Sequence, residues 1–131
     1  MFATVDYADL VGVPFAYGGR GPDFYDCYGL LMELYRRRGV TLPEQTSPTS
    51  QEIISAKMGI ELLAWTPCEK QPGAGALFRV GRLISHCGMV VDQNHMVHAW
   101  EKCGGVTVER LETWTRRLVG YYQYTGSKRS T

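Results

Sequence analysis

Leu83-Ile84-Ser85-His86-Cys87-Gly88-Met89-Val90-Val91-Asp92-Gln93-Asn94-His95-Met96-Val97-His98-Ala99-Trp100 decides the fold, because it reads as two runs of strand-forming residues joined by a polar turn. Side chains alternate across a strand, so Ile84, His86, Gly88 and Val90 share one face and Cys87 points the other way. In the second run Met96, His98 and Trp100 share a face, opposite His95, Val97 and Ala99. If Asp92-Gln93-Asn94 is a three-residue hairpin loop, Gly88 pairs with His98 and His86 becomes its diagonal neighbour on the same face. Gly88 then leaves room for two imidazoles to approach. A slip of one residue would send His98 to the wrong face, so the pairing depends on the parity of the loop.

Outward from this hairpin, short apolar runs separated by turn residues give further strands at Ala76 to Val80, Val106 to Arg110 and Val119 to Tyr124. Pro72-Gly73-Ala74-Gly75 is a turn into the first of them; it lacks the lysine and the strand-before-helix context of a phosphate cradle. The N-terminal half has a helical period instead. Asp26 can cap a helix in which Cys27, Leu30, Leu31 and Leu34 recur on one stripe, and Arg36-Arg37-Arg38-Gly39 closes it. That arginine triplet is a helix end rather than a nucleic-acid patch. Thr4 to Val11 has a short helical pattern, and Thr49-Ser50-Gln51-Glu52 has capping-box spacing for a helix to about Lys57. Helices followed by consecutive strands predict an α+β domain, N-terminal helices packed on a central antiparallel sheet of about five strands. The domain is expected over residues 1–125, with 126–131 as a disordered tail.

The chain of 131 residues can bury an ordinary core as one domain. Its 14 Lys and Arg against 13 Asp and Glu give no electrostatic footprint for nucleic acid or an anionic membrane. No apolar run approaches the length of a membrane span, and Met1 to Gly12, with Asp6 and Asp9, lacks the pattern of a signal peptide. The four cysteines, Cys27, Cys68, Cys87 and Cys103, match no C-x-x-C motif and are expected as free thiols.

The chemistry gathers around Cys27, His86 and His98. A cysteine is a nucleophile as thiolate, and a helix N-terminus supplies orphan N–H groups and a positive dipole that favour the anion. Cys27 occupies that position, just after the Gly-rich loop Val13 to Pro22. His86 can act as base and His98 can orient it. Taken singly, each of these residues also fits a plain packing role; two histidines on one face and a cysteine in a first helical turn favour catalysis. A zinc site from Cys87, His95, His98 and Cys103 is the chemical rival, and it fails because His95 and His98 alternate across a strand. His95 belongs to the turn. Trp65, Trp100 and Trp114 read as core or groove lining.

Tyr17-Gly18-Gly19, Asp26-Cys27-Tyr28-Gly29-Leu30, Pro72-Gly73, Ser85-His86-Cys87-Gly88-Met89 and Val97-His98-Ala99 together resemble the NlpC/P60 family of cysteine peptidases. The resemblance runs from about Gly12 to Ala99 and implies a papain-like α+β fold. It implies Cys27 as nucleophile, His86 as base and His98 as third residue, with Asp26, Tyr28, Tyr17 and Phe15 toward the substrate, and neither metal nor other cofactor. Tyr28 stands where the family usually has serine and is expected to reshape the groove. Phe15 stands where the family often has a tyrosine whose hydroxyl lies near the oxyanion. One such donor is worth about 10²–10³ in rate.

The family hydrolyses peptide bonds of the bacterial cell wall, often between D-glutamate and the diamino acid of the stem peptide. The loop Gly18 to Tyr25, the segment Arg36 to Pro43 and the compact size look most like its phage-tail branch. The expected partners are therefore peptidoglycan stem peptides and other tail proteins, with no nucleic acid and no membrane. The expected location is the virion, or the bacterial cytoplasm during assembly, with action in the periplasm or cell wall. Two alternatives stand beside this reading: a non-catalytic tail-assembly module that keeps the fold, and a thiol amidase or acyltransferase acting on another substrate.

Overall fold

Asp26 starts helix α1 (Cys27–Arg36) as its N-cap, its extended backbone leaving the helical path while its carboxylate accepts from the Gly29 N–H. In this computed structural model, residues 5–44 and 65–125 are described. Leu30, Leu31, Leu34 and Tyr35 of α1 are buried, and the chain turns away at Gly39, whose φ of +84° favours glycine. The arginine run ends the helix as expected. Arg36 and Arg37 both reach back to Glu33, and Arg37 also bonds Asp9.

Six strands form one antiparallel sheet: β1 (Trp65–Pro67), β2 (Gly75–Val80), β3 (Leu83–Asp92), β4 (His95–Trp100), β5 (Gly105–Arg110) and β6 (Leu118–Tyr124), in the order β1-β6-β2-β3-β4-β5. The α+β class and the five expected strands are present, with boundaries within about a residue of expectation. The additional strand, β1, is three residues long and ends in Pro67, and such a stretch has no alternating pattern to read. It lies at the sheet edge, where a missing N–H costs no ladder bond.

Alternation divides the core between the two faces of this sheet. Leu77, Cys87, Met89, Val97, Ala99 and Val106 pack with Leu30, Leu31 and Leu34 of α1. Ala76, Phe78, Val90 and Met96 face the other way, under Leu111 and Trp114 of a 3-10 segment, Leu111–Arg117. No helix among the described residues is long and apolar enough to cross a membrane.

Three expectations are corrected. The turn between β3 and β4 is Gln93-Asn94, because Asp92 pairs with His95; the register then shifts at Val91, so Val90 pairs with Met96 and Met89 with Val97. A two-residue turn plus one bulge residue has the same parity as the expected three-residue loop, so the face of each histidine is unchanged. Ile84 does change face. A register shift makes Ser85 the extra residue between Phe78↔His86 and Arg79↔Ile84, and Ile84 packs with the α1-side core. Over Thr4 to Val11 the described part holds only a short 3-10 turn, Ala8–Leu10, ended by Gly12 at φ +97°. The helix expected over Thr49 to Lys57 and the tail 126–131 lie outside the described residues.

Candidate active site

The loop before α1 is built around the Asp26 carboxylate. Besides the Gly29 N–H at 2.7 Å, it accepts from the Gly18 N–H at 2.9 Å and from Arg20 Nη1 at 2.9 Å. Arg20 is held in turn by Glu44. Gly29 is needed there, since a Cβ would run into the carbonyl of Gly19. Asp26 is buried and its carboxylate takes three hydrogen bonds from the loop and the helix, so the structure gives it the role of fixing loop to helix rather than facing a substrate. Tyr28 is likewise corrected. Its side chain is buried and its hydroxyl donates to the Pro43 carbonyl at 2.6 Å, so it ties α1 to the following segment instead of shaping a groove.

Cys27 is half-buried and opens the helix, where the first N–H groups lack intrahelical acceptors. It packs against the α1-side core, with its thiol beside that of Cys87. The adjacent Cys27 thiol, followed by burial, pushes the Cys87 thiol well up from the ordinary range, so Cys87 stays protonated. Among the described residues the Cys27 sulfur makes no hydrogen bond to an imidazole. It lies against β3 at the residue adjoining His86.

His86 and His98 are brought together as the hairpin register requires. His86 Nε2 lies 2.7 Å from His98 Nδ1, and both rings are buried on the face away from α1. Gly88 is the reason they fit: a Cβ there would lie 3.0 Å from the His98 Cβ. The His86 ring stacks on Trp114 at 5.2 Å and contacts Trp100 at 4.7 Å and Phe78 at 5.9 Å between centroids. Burial, then the neighbouring His98 and Arg117, holds His86 well below the ordinary histidine pKa. Burial also lowers His98, against the opposing pull of Glu109.

Glu109 is the residue that sequence reasoning missed. His98 Nε2 lies 2.7 Å from Glu109 Oε1, and the Trp114 indole N–H donates to the same oxygen at 2.9 Å. Its signal was present in the alternation of β5. His98 pairs with Thr107, and Glu109 is two residues on, on the same face. What the sequence could not supply was the β4–β5 register.

A carboxylate only accepts, so the bond to Glu109 puts the His98 proton on Nε2 and leaves Nδ1 as an acceptor. His86 must then donate from Nε2, and its own Nδ1 carries the lone pair. With both rings neutral, the arrangement can take a proton at His86 Nδ1.

Tyr17 is exposed, packs edge-on against the half-buried Phe15, and donates its hydroxyl to Glu101 at 3.0 Å. Partial burial and then Glu101 raise its pKa, which keeps the phenol protonated. The four residues of the zinc alternative are dispersed. Cys87 lies under α1, His98 in the opposite aromatic cage, His95 at the turn against Asp92, and Cys103 is exposed.

The sequence profile of the NlpC/P60 family matches residues 12–123. "Probable endopeptidase p60" of Listeria seeligeri is 28% identical over 113 residues, which is 85% of this chain and 20% of that protein. A protein named as a probable endopeptidase in Mycobacterium bovis is 32% identical over 89 residues, 68% of this chain and 20% of that protein. This chain thus spans about a fifth of the length of these relatives. Among solved structures, the P60 domain of a Mycobacterium avium subspecies paratuberculosis antigen superposes with a TM-score of 0.65 at 20% identity, covering 92% of this chain and 89% of that one. An NlpC/P60 family protein from Bacillus cereus gives 0.67 at 20% identity, covering 88% and 37%. These two likenesses establish the fold.

Proposed function

This chain belongs to the NlpC/P60 family, and from that premise we propose that it is a cysteine endopeptidase cleaving amide bonds in peptidoglycan stem peptides. The observation that carries the chemistry is the directed chain His86–His98–Glu109, which leaves a bare Nδ1 on a neutral imidazole. Cys27 Sγ attacks the amide carbonyl carbon and His86 Nδ1 takes the thiol proton. The same proton passes to the leaving amine as the C–N bond breaks, leaving a thioester. Water then attacks with His86 as base, the S–C bond breaks, and the thiol is restored. The Cys27 backbone N–H, at the helix start, is the natural donor to the oxyanion. The first step asks the sulfur to leave Cys87 for the adjoining His86; catalytic contacts commonly tighten only when substrate is bound.

Within this reading the scissile bond is that between D-glutamate and the diamino acid. The setting is a phage tail, where the enzyme would open the wall locally during DNA entry and would dock to other tail proteins. The resemblance of the Gly18 to Tyr25 loop and the Arg36 to Pro43 segment to the phage branch supports this placement.

Purified wild-type protein and Cys27→Ala, incubated with sacculi, should differ completely in soluble muropeptides identified by mass. Product from both proteins, or from neither, would overturn the proposal. Phe15 in place of the family tyrosine, together with a Cys27 thiol set beside Cys87, favours a second reading: a tail-assembly module that keeps the fold without turnover. It requires Cys27→Ala particles to assemble and infect normally.

A further inference from the structure

We propose that Glu109 is a positioning residue of this site: through His98 it sets the tautomer of His86, and Trp114 holds it in place. The proposal rests on the peptidase reading for its consequence in rate and on geometry alone for its consequence in proton position.

Glu109 Oε1 receives two donors, His98 Nε2 at 2.7 Å and Trp114 Nε1 at 2.9 Å. An indole nitrogen can only donate, so its bond marks this oxygen as an acceptor and fixes which end of the carboxylate faces His98. Trp114 also packs edge-on to His98 at 5.1 Å and stacks on His86 at 5.2 Å. One side chain therefore places the carboxylate and both imidazoles. His98 has no exposed surface, so water cannot stand in for a lost partner at Nε2 without opening the cage.

Removing the carboxylate inverts the chain. With nothing to accept its Nε2 proton, His98 satisfies itself by moving that proton to Nδ1 and donating to His86 Nε2. His86 then carries its proton on Nδ1, the atom that must receive the thiol proton. The charged and titratable groups around the pair are His86 from β3, Glu109 from β5, Arg117 over the Trp114 ring from the 3-10 segment, and Cys103, whose thiol pKa is raised by burial and then by the Glu109 charge.

The test uses the whole chain, with ¹⁵N imidazole spectra of wild type, Glu109→Leu and Glu109→Gln beside muropeptide release. Glu109→Leu should fold, move the His86 proton from Nε2 to Nδ1, and lower kcat by ~10²-fold with little change in KM. Glu109→Gln keeps an oxygen that accepts from both donors, so it should keep the wild-type tautomers and recover most of the rate. Having lost the charge, it should let His98 titrate at lower pH than in wild type. A folded Glu109→Leu that keeps the His86 proton on Nε2 overturns the proposal, as does unchanged kcat in an active enzyme. If Glu109→Leu does not fold, the titration decides: a His98 midpoint in Glu109→Gln equal to wild type overturns it. Should wild type release no muropeptide while the tautomers still invert, the peptidase reading fails and the positioning role stands.

Discussion

The two faces of the sheet carry opposite chemistries across a single strand. Toward α1, β3 offers Cys87 and Met89 to an apolar layer that also seats the Cys27 thiol. Away from α1 it offers His86 and Gly88 to a cage of Phe78, Trp100 and Trp114, through which the hydrogen-bonded chain to Glu109 runs. The first face is built by packing and tolerates exchange of one small group for another. The second holds buried polar atoms whose every bond constrains the next, so its losses spread along the chain. Cys27 and His86 thus approach the same strand from its two sides, and adjoining residues should answer mutation very differently.

His86→Ala and Cys87→Ala put that contrast to its widest test. His86→Ala should lower kcat by roughly 10²–10⁴-fold, the span of a lost general base. Cys87→Ala removes a buried sulfur and the resting partner of Cys27, so it should cost stability by about 1 kcal/mol while leaving the rate within a few-fold. Muropeptide release and thermal melts on both variants measure the difference. Equal rate losses would mean that the Cys27–Cys87 contact belongs to the catalytic geometry, and the division between faces would collapse.

Gly88→Ala sharpens the comparison at intermediate size, since only the cage side gains an atom. The new methyl would meet the His98 Cβ and the Val97 carbonyl at 3.0 Å and Met96 Sδ at 3.2 Å. Two of these three neighbours are fixed by the β4 backbone, so the strain falls on the hairpin. Overpacking of this kind costs about 1–3 kcal/mol. A lower Tm together with a disturbed His86–His98 pair in imidazole spectra is expected; an unchanged spectrum would show that the imidazoles do not need the glycine.

The sequence carried more of one face than of the other. Apolar alternation and the parity of the hairpin placed His86 and His98 together, and the Asp26-Cys27 cap placed the sulfur at a helix start. These are local signals, set by residues within a turn or two of each other. Glu109 was missed because its role depends on the register of β4 with β5; Trp114, legible as core or groove lining, is buried as expected, but its bond to Glu109 depends on a 3-10 segment with no long period to read. Tyr28 and Asp26 look substrate-facing from their motif alone, because their partners, Pro43 and Gly18, come from loops. The bulge at Ser85, which moves Ile84 to the α1 side, has no sequence mark; alternation simply fails there.

The faces should also part company under acid, with the smallest of the expected effects. On the cage side His86 and His98 are depressed below the ordinary 6.5. The unfolded chain therefore binds protons that the folded chain refuses, and stability falls as the pH drops below about 6.5. On the α1 side Glu33 is lowered from 4.5 to about 2, by hydrogen bonding from Arg36 and, against partial burial, from Arg37. Its contribution is fully present above pH 4.5 and is lost as the pH falls through about 2. Denaturant midpoints measured from pH 7 to pH 2 should thus decline in two windows. His86→Phe should flatten the upper one and leave the lower, while Glu33→Gln should do the reverse. The second change is the slighter, because Glu33 sits near the surface where ion pairs are screened. A single window abolished by either variant would mean that the two faces unfold their charges as one network, although no hydrogen bond among the described residues connects Glu33 to the cage.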